Sequence, residues 1–208
     1  MTTDPSFEST RGSLHAVAEL LLAGPQYVAH RRIQLRVADA GFATVLDPEV
    51  RIAVDHLVVG DRRSRIHGRT LAELADELGL RPRPLDDVYS DGPSRNLDQR
   101  LQVDPDHARR LHAALAAGDA ALRSLAPDET PVLWPEHFDV AISVGEVNYG
   151  VSPGDRFEPE PYAYVGPWTP PEQDDFWNAP FGAVLRLSPD AGPDEVLAFF
   201  DRGRGALV

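Results

Sequence analysis

The sequence predicts an α+β fold built mainly on antiparallel sheet and flanked by about four helices. Short segments in which apolar and polar residues alternate follow one another through turn residues, which is typical of hairpins. Segments with an apolar period of 3.6 residues and capping residues lie between them. The chain also contains 16 glycines and 19 prolines, many of them at the boundaries of these segments. Together these observations predict short elements joined by tight turns.

Four segments have the apolar stripe and the end signals of helices. They are residues 13–24, 70–78, 105–125 and 193–200. Thr70 and Glu73, three residues later, form a capping box, and Gly79 follows the last apolar residue of that segment. In the first segment the dipeptide Gly24-Pro25 predicts the end of the helix.

Strands are predicted where apolar and polar residues alternate. The segments are residues 32–37, 42–46, 50–54, 57–59, 138–144, 162–165 and 183–187. Only a few turn residues separate the first four, so these predict a meander of hairpins. The arginines that follow Asp61, namely Arg62, Arg63 and Arg65, are predicted to lie at a solvated hairpin tip.

A chain of 208 residues can bury a full core, and we predict one compact domain over residues 1–208. The proline- and glycine-rich residues 81–103 predict a connection between two halves, residues 13–80 and 104–203. The tripeptide Leu-His-Ala recurs at residues 14–16 and 111–113, which suggests that the halves are related helix, strands, helix units.

The composition excludes several classes of chemistry. The formal net charge is -13 and the pI is near 4.8, so nucleic acid is not expected as a partner. All 20 basic residues are arginines, which excludes Schiff-base lysines and a phosphate-loop lysine. The absence of cysteine excludes thiol nucleophiles, disulfides and cysteine zinc sites. Any nucleophile must be a hydroxyl, a carboxylate or activated water.

The start of the chain does not resemble an export signal. Residues 1–12 are polar, and the apolar stretch 16–23 is interrupted by Glu19, so no membrane span is predicted either. We therefore expect a cytoplasmic protein without a membrane partner. No cofactor is predicted, and the oligomeric state stays open.

Residues 134–168 are the segment in which a site is predicted. Period-two alternation predicts a core face made of Phe138, Val140, Ile142 and Val144. On the opposite face, small side chains follow His137 and Asp139, which leaves space for a ligand or a covering loop. We predict that His137 acts as a general base that Asp139 orients. The alternative is that Asp139 only neutralises a half-buried His137 at the start of a strand.

No metal site is predicted. A metal would usually need several imidazoles, and His30, His56 and His67 are too scattered in the sequence to supply them. His107 and His112 lie five residues apart on a helix, which is not a same-face spacing. Both are predicted to lie at the surface.

The same segment is rich in the aromatic, amide and carboxylate side chains that are typical of polar-ligand pockets. The candidate ligand-binding residues are Trp134, Asn148, Tyr149, Asp155, Glu160, Tyr162 and Trp168. They predict a protein that binds a small polar molecule, or an enzyme that uses water or a carboxylate without a covalent intermediate. The alternative is an interaction or scaffolding module whose proline-rich loops present Tyr164, Trp168 and Trp177 to a protein partner.

Residues 150–154 match the glycine, serine, glycine pattern of a hydrolase nucleophile elbow. That elbow needs the backbone N–H of the residue after the serine, which Pro153 lacks, and it needs a helix where this sequence predicts a loop. We therefore predict a tight turn from Ser152 to Asp155 instead.

Three phrases of the sequence carry a resemblance. They are Leu-Trp-Pro-Glu-His-Phe-Asp at 133–139, Asn-Tyr-Gly-Val-Ser-Pro-Gly-Asp at 148–155, and Glu-Pro-Tyr-Ala-Tyr-Val-Gly-Pro-Trp at 160–168. With the helix-then-hairpin opening, they resemble a family of uncharacterised bacterial proteins that has no assigned activity. The resemblance covers most of the chain and implies no catalytic residues.

Overall fold

The computed structural model describes residues 4–90, 92–93 and 96–207. These residues form an α+β fold in which the strands pair antiparallel, as the sequence predicts. The chain divides into two compact units, Met1–His112 with Leu133–Phe138, and Ala113–Val132 with Asp139–Val208, called here the N-terminal and C-terminal units. The connection over residues 81–103 stays a prediction, and its residues 91, 94 and 95 lie outside the described part of the chain.

One continuous helical stretch opens the N-terminal unit. It consists of α1 (Pro5–Val17), a π-helical segment (Ala18–Ala23) and α2 (Gly24–His30). Asp4 caps it by accepting a hydrogen bond from the backbone N–H of Ser6 at 2.9 Å. The prediction of a helix over residues 13–24 is therefore wrong at both ends. The Asp4-Pro5 start signal was missed, and Gly24-Pro25 does not end the helix.

The π-helical segment explains how the helix continues through Pro25. Proline has no N–H and its ring crowds the preceding turn, whereas a wider turn relieves this crowding. Gly24 donates to the carbonyl of Glu19, five residues back. In the same pattern the N–H of residue 25 would donate to the carbonyl of Leu20, but proline has no N–H. The N–H of Arg83 donates to this carbonyl instead, at 3.0 Å. A Cβ on Gly24 would lie 1.9 Å from the carbonyl oxygen of Arg83, so glycine is required here.

A buried carboxylate reinforces this contact. The side chain of Glu19 is fully buried in the π-helical segment. Its Oε2 accepts a hydrogen bond from the hydroxyl of Tyr89 at 2.9 Å, and its Oε1 accepts one from the N–H of Leu85 at 3.4 Å. Burying a carboxylate is costly unless it is hydrogen-bonded. Glu19 therefore fastens the segment after Arg83 to the opening helix.

The sheet of the N-terminal unit contains six strands in the order β6-β1-β2-β3-β4-β5. They are β1 (Leu35–Ala38), β2 (Gly41–Thr44), β3 (Val50–Ala53), β4 (His56–Val59), β5 (Arg62–Arg65) and β6 (Val132–Trp134). The meander of β1 to β4 is confirmed. The hairpin tip predicted at Arg62 to Arg65 is wrong, because these residues pair with β4 as a strand. Apolar and polar residues do not alternate there, because arginine occupies both faces of the strand.

Helix α3 (Leu71–Leu78) has the predicted ends. Thr70 and Glu73 exchange both hydrogen bonds of a capping box, and Gly79 ends the helix in the left-handed conformation with φ 73°. The guanidinium of Arg62 donates to the last carbonyls of the helix, including that of Leu78. Ser64 donates to the carboxylate of Glu77 at 3.0 Å, which places α3 on the same sheet face as Ser64.

The core of the N-terminal unit includes an aromatic group around Phe42. The rings of Phe138 and His112 meet it edge to face, with centroids 5.4 and 5.9 Å away. The Nε2 of His112 lies 3.0 Å from the carbonyl oxygen of Val54. The prediction of a surface position for His112 is therefore wrong, because a histidine that bonds a backbone carbonyl can be buried. His107 is partly exposed, with its ring against Phe7.

A second histidine is enclosed where the helix meets the turn after β6. The ring of His15 stacks on Phe138 with centroids 5.1 Å apart and planes within 6°. Its Nε2 lies 2.7 Å from the carbonyl oxygen of Pro135. Burial lowers the pKa of His15 to about 4, although the hydrogen bond to Pro135 opposes this effect. His15 is therefore neutral at physiological pH and donates from Nε2.

The C-terminal unit contains four strands in the order β10-β9-β8-β7, together with α5 (Pro193–Gly205) and most of α4 (Pro105–Leu125). The strands are β7 (Asp139–Val144), β8 (Val147–Ser152), β9 (Tyr162–Pro167) and β10 (Ala183–Arg186). The predicted bounds of α4 are confirmed, and α5 is longer than predicted. In the described part of the chain no helix is long and apolar enough to span a membrane.

Both helices of the C-terminal unit pack against one face of this sheet, and each has a glycine at the point of contact. A Cβ on Gly118 of α4 would lie 2.7 Å from Val151 and 2.9 Å from Val140. A Cβ on Gly203 of α5 would lie 2.8 Å from Val165. The register places these three valines on the same face. The backbone of each helix therefore approaches the sheet directly.

This close approach predicts the outcome of Gly118→Ala. Helix propensity alone favours alanine by about 1 kcal/mol. Because the new methyl group would overlap Val140 and Val151, we expect a net destabilisation of about 1 to 3 kcal/mol, measured by urea unfolding. An unchanged or raised midpoint would contradict the packing described for α4.

The outer strand β10 has its open edge occupied by one side chain. Val184 pairs with Tyr164 of β9 at a position where its own N–H and carbonyl point away from β9. The amide of Asn178 accepts from the N–H of Val184 at 2.8 Å and donates to its carbonyl oxygen at 3.1 Å. Both outward backbone groups of Val184 are thereby satisfied.

Candidate functional site

The candidate site lies on the face of the C-terminal sheet opposite to α4 and α5. The register places Ala141, Gly150 and Tyr164 directly across from one another on β7, β8 and β9. Two residues away along each strand, Asp139, Ser152 and Tyr162 share the same face. We call Asp139, Ser152, Asp155, Tyr162 and Tyr164 the tyrosine–aspartate cluster.

Asp139 and Tyr164 form the centre of the cluster. The hydroxyl of Tyr164 donates a short hydrogen bond to Oδ2 of Asp139, whose carboxylate is only 6% exposed. The ring of Tyr164 crosses over Gly150, where a Cβ would lie 2.5 Å from its hydroxyl oxygen. Part of the space that the sequence predicts above the small side chains is therefore filled by this ring. Tyr164 itself keeps partial exposure.

A second tyrosine–aspartate pair lies beside the first. Tyr162 donates to Oδ2 of Asp155 at 2.7 Å, and the centroids of the two tyrosine rings are 6.2 Å apart. Oδ1 of Asp155 accepts from the N–H groups of Phe157 and Glu158 at 2.7 and 3.0 Å. The loop after β8 is thereby held in a fixed shape against β9.

The turn predicted from Ser152 is confirmed. The hydroxyl of Ser152 accepts from the N–H of Gly154 at 3.1 Å, and this serine ends β8 instead of beginning a helix. Its side chain is buried and engaged with the turn. Ser152 therefore has the structure of a turn residue and not that of a nucleophile elbow.

The phenols of the cluster are held in their protonated form. Burial raises the pKa of Tyr164, and the negative charge of Asp139 raises it further. Burial also raises the pKa of Tyr162, with the hydrogen bond to Asp155 acting in the same direction. Both phenols are therefore hydrogen-bond donors over the physiological pH range, and both carboxylates accept.

Aromatic rings border the cluster on the side of the loop after β8. The half-exposed ring of Phe157 meets Tyr162 and Phe181 edge to face, with centroids 6.4 and 5.1 Å away. Apolar ring surface thus lies next to carboxylate oxygens. Binding sites for polar molecules with a flat face combine these two features.

His137 lies in a different environment from Asp139. It belongs to the turn that follows β6 in the N-terminal unit, its side chain is 64% exposed, and its Nε2 lies 4.0 Å from Oε2 of Glu136. The strand starts only at Asp139, because Phe138 adopts a left-handed conformation with φ 56°. The predicted core positions of Phe138, Val140 and Ile142 are confirmed, because all three are buried, whereas Val144 is exposed at the hairpin turn.

The other predicted ligand-binding residues do not join the cluster. Tyr149 lies on the opposite face in the core, with its ring 5.8 Å from Phe200 of α5. Asn148 accepts from the hydroxyl of Ser143 at 2.6 Å at the exposed end of the hairpin. Trp168 is 66% exposed beyond the end of β9. Of the predicted set, the structure brings together Asp139 with Asp155 and Tyr162.

Glu160 and Trp134 belong to other elements of the chain. The N–H of Glu160 donates to the carboxylate of Glu158 at 3.1 Å in the loop before β9. Trp134 belongs to β6, and its carbonyl accepts from the N–H of Phe138 at 2.8 Å.

Tyr164 and Ser152 are the members of the cluster that the sequence did not assign to the site. The spacing of Tyr162 and Tyr164 puts both rings on one strand face, which was a usable signal. Their position across from Gly150 and Ser152 depends on β8, which was not predicted.

The cluster offers acceptors and protonated donors next to aromatic surface. Among the described residues no group of three or more His, Cys, Asp or Glu side chains is arranged to hold a metal ion. The chemistry must be inferred from the residues themselves, because comparisons with family models, with curated proteins and with solved structures found no match to this chain.

Proposed function

We propose that the protein binds a small polar molecule at the tyrosine–aspartate cluster of its C-terminal unit. The observation that carries this proposal is the pairing of a nearly buried carboxylate, Asp139, with the hydroxyl of the partly exposed Tyr164. A phenol hydroxyl can also accept a hydrogen bond, so the partly exposed Tyr164 can take a donor from a ligand while it donates to Asp139.

The charge of the unit favours neutral or cationic ligands. The C-terminal unit carries fifteen carboxylates and five arginines. An anion that approached Asp139 and Asp155 would be repelled, whereas hydroxyl and ammonium groups can donate to them. The half-exposed ring of Phe157 adds a surface on which a flat or sugar-like face can stack. We therefore expect polyols, sugars and primary amines as ligands.

The experiment is a thermal-shift screen against neutral sugars, polyols, primary amines and carboxylic acids, followed by calorimetry of the compounds that raise Tm. Tyr164→Phe keeps the ring over Gly150 and removes only the hydroxyl. Ser143→Ala is the matched control, because it removes one hydroxyl hydrogen bond from the exposed hairpin end.

We expect Tyr164→Phe to weaken ligand binding about tenfold or more, the equivalent of one hydrogen bond to a charged group. Ser143→Ala should bind as the wild type does. Equal affinity of both variants, or a screen in which only the carboxylic acids raise Tm, would contradict the proposal.

A second candidate function is the interaction module that the sequence left open. One observation favours it: Trp168 is 66% exposed, and large aromatic side chains are common at protein interfaces. The two candidates differ for Trp168→Ala. This change should leave small-molecule binding at the cluster unchanged, and it should weaken the binding of a protein partner.

A further inference from the structure

One face of the N-terminal sheet carries a row of arginines. Arg36 of β1 lies across from Ala43, which lies across from Arg51 of β3. The row continues through Val58 of β4 to Arg63 of β5. In the next row Arg65 lies across from His56. We call Arg36, Arg51, Arg63 and Arg65 the arginine face.

The arginine face is the exposed side of this sheet. On the other side Phe42, Ile52 and Leu57 are fully buried, and Ser64 contacts α3. The side chains of Arg36, Arg51 and Arg65 are 42%, 43% and 60% exposed, and Arg63 is exposed as well. Four arginines thus meet solvent together in a chain whose net charge is -13.

The arginines of the row are regularly spaced. Arg36, Arg51 and Arg63 occupy every second strand, and neighbouring strands lie about 4.8 Å apart, so the spacing is about 10 Å. Ala43 and Val58 between them are buried, consistent with cover from the aliphatic stems of the arginines. The face therefore presents three guanidinium groups at even intervals above an apolar floor.

Carboxylates of the chain already bind to this face. Glu49 contacts both Arg36 and Arg51, at 2.5 and 3.6 Å. The carboxylate of Asp55 lies 2.8 Å from Nδ1 of His56 and 3.1 Å from Nε of Arg65. Burial alone would raise the pKa of Asp55, but the bonds from His56 and Arg65 outweigh it and lower the pKa. Asp55 therefore stays ionised at neutral pH.

Positive charge remains after these pairings. Arg63 has no acidic partner among the residues that the structure describes. A guanidinium group has five N–H donors, so Arg51 also has donors left beside its contact with Glu49. The Arg51 to Arg63 end of the row is therefore the place where a further carboxylate fits.

We propose that the arginine face binds an acidic, proline-containing segment of a partner protein in the polyproline II conformation. This helix rises about 3.1 Å per residue with three residues per turn, so every third residue lies on one side at intervals of about 9 Å. That interval matches the spacing of the arginines. Carboxylates three residues apart would meet Arg51 and Arg63 in turn.

A nucleic acid fits this face less well. Its phosphates follow one another more closely than the arginines, so some of them would lie against Glu49 and Asp55. The net charge of -13 also repels a long polyanion more strongly than a short segment.

The test uses two fluorescein-labelled peptides of identical composition. In the first, glutamate and two prolines repeat four times, and in the second the four glutamates form a block before the prolines. Binding to the full chain is followed by fluorescence anisotropy at low salt. The variant Arg51→Gln/Arg63→Gln is compared with Arg109→Gln/Arg123→Gln, which removes the same charge from exposed positions of α4.

We expect the spaced peptide to bind about fivefold tighter than the block peptide, because only its carboxylates match the row. Arg51→Gln/Arg63→Gln should weaken the spaced peptide about tenfold or more, and the α4 variant less than about twofold. Circular dichroism checks that both variants are folded. Equal binding of the two peptides, or equal losses in the two variants, would overturn the proposal. Tighter binding of a twelve-nucleotide oligothymidylate, lost in the same variant, would also overturn it.

Discussion

Gly24→Ala is expected to lower the free energy of unfolding by about 3 kcal/mol, although alanine is the better helix former. The new Cβ would lie 1.9 Å from the carbonyl oxygen of Arg83 and 2.8 Å from its carbonyl carbon. These are backbone atoms and cannot rotate away. Either the helix or the segment at Arg83 must move, and the bond from Arg83 to Leu20 is then lost.

Gly12→Ala is the matched control for this prediction. Gly12 lies inside α1, and apart from its chain neighbours and the nearby backbone of the helix itself, no atom lies within 4 Å of the position of its Cβ. At this position the change affects stability only through the backbone entropy of glycine in the unfolded chain. Alanine should therefore raise the free energy of unfolding by about 0.5 to 1 kcal/mol. Urea unfolding followed by circular dichroism measures both variants. A stabilised Gly24→Ala variant would show that Arg83 does not pack against the helix as described.

Acid is expected to destabilise the protein through His15. Its pKa is about 4 in the folded protein and 6.5 in the ordinary exposed state. Between these values the unfolded chain binds a proton that the folded protein does not, so stability falls as the pH is lowered. The stabilisation is complete above about pH 6.5 and lost progressively towards pH 4. Because the ring is partly exposed, we expect the free energy of unfolding to fall by only about 2 to 3 kcal/mol.

The measurement compares wild type and His15→Gln by urea unfolding at pH 7.5 and pH 4.5. Glutamine has an amide donor for the carbonyl of Pro135 but does not titrate. The wild type should lose about 2 to 3 kcal/mol more than the variant between the two pH values. His30→Gln, at an exposed histidine, should behave as the wild type. Equal acid losses in His15→Gln and wild type would refute this role of His15.

Elements with complete local signals were predicted from the sequence almost to the residue. The capping box of Thr70 and Glu73 and the end at Gly79 are confirmed, as are the bounds of α4. All of these signals act within a few residues. The α+β class follows from the same local patterns, because alternation and caps are visible in any short window.

The end of the first helix was predicted wrongly, because the contact that lets the helix continue comes from a distant part of the sequence. Gly24-Pro25 is a stop signal for an isolated helix. In the structure, Arg83 satisfies the carbonyl that proline leaves open, and Glu19 binds the same segment. Fifty-nine positions separate Gly24 from Arg83 in the printed sequence, so no local rule contains this information.

The sequence predicted only part of the tyrosine–aspartate cluster. Asp139, Asp155 and Tyr162 lie together, whereas Tyr149 faces the core. Strand β8 was missed because Gly150 interrupts a stretch that otherwise alternates. That glycine lets the ring of Tyr164 cross over β8, so the residue that hides the strand in the sequence also makes room for the cluster.

The side chain of Asn178 has a consequence for self-assembly. An open strand edge can template the addition of another chain, which is a common route to aggregation. At Val184 the amide of Asn178 imitates the peptide group of an incoming strand and occupies both of its hydrogen-bonding positions. A second chain that docked there would first have to displace this amide. The side chain of Asn178 thus ends the sheet at this edge. It protects the C-terminal unit from the addition of a further strand at Val184.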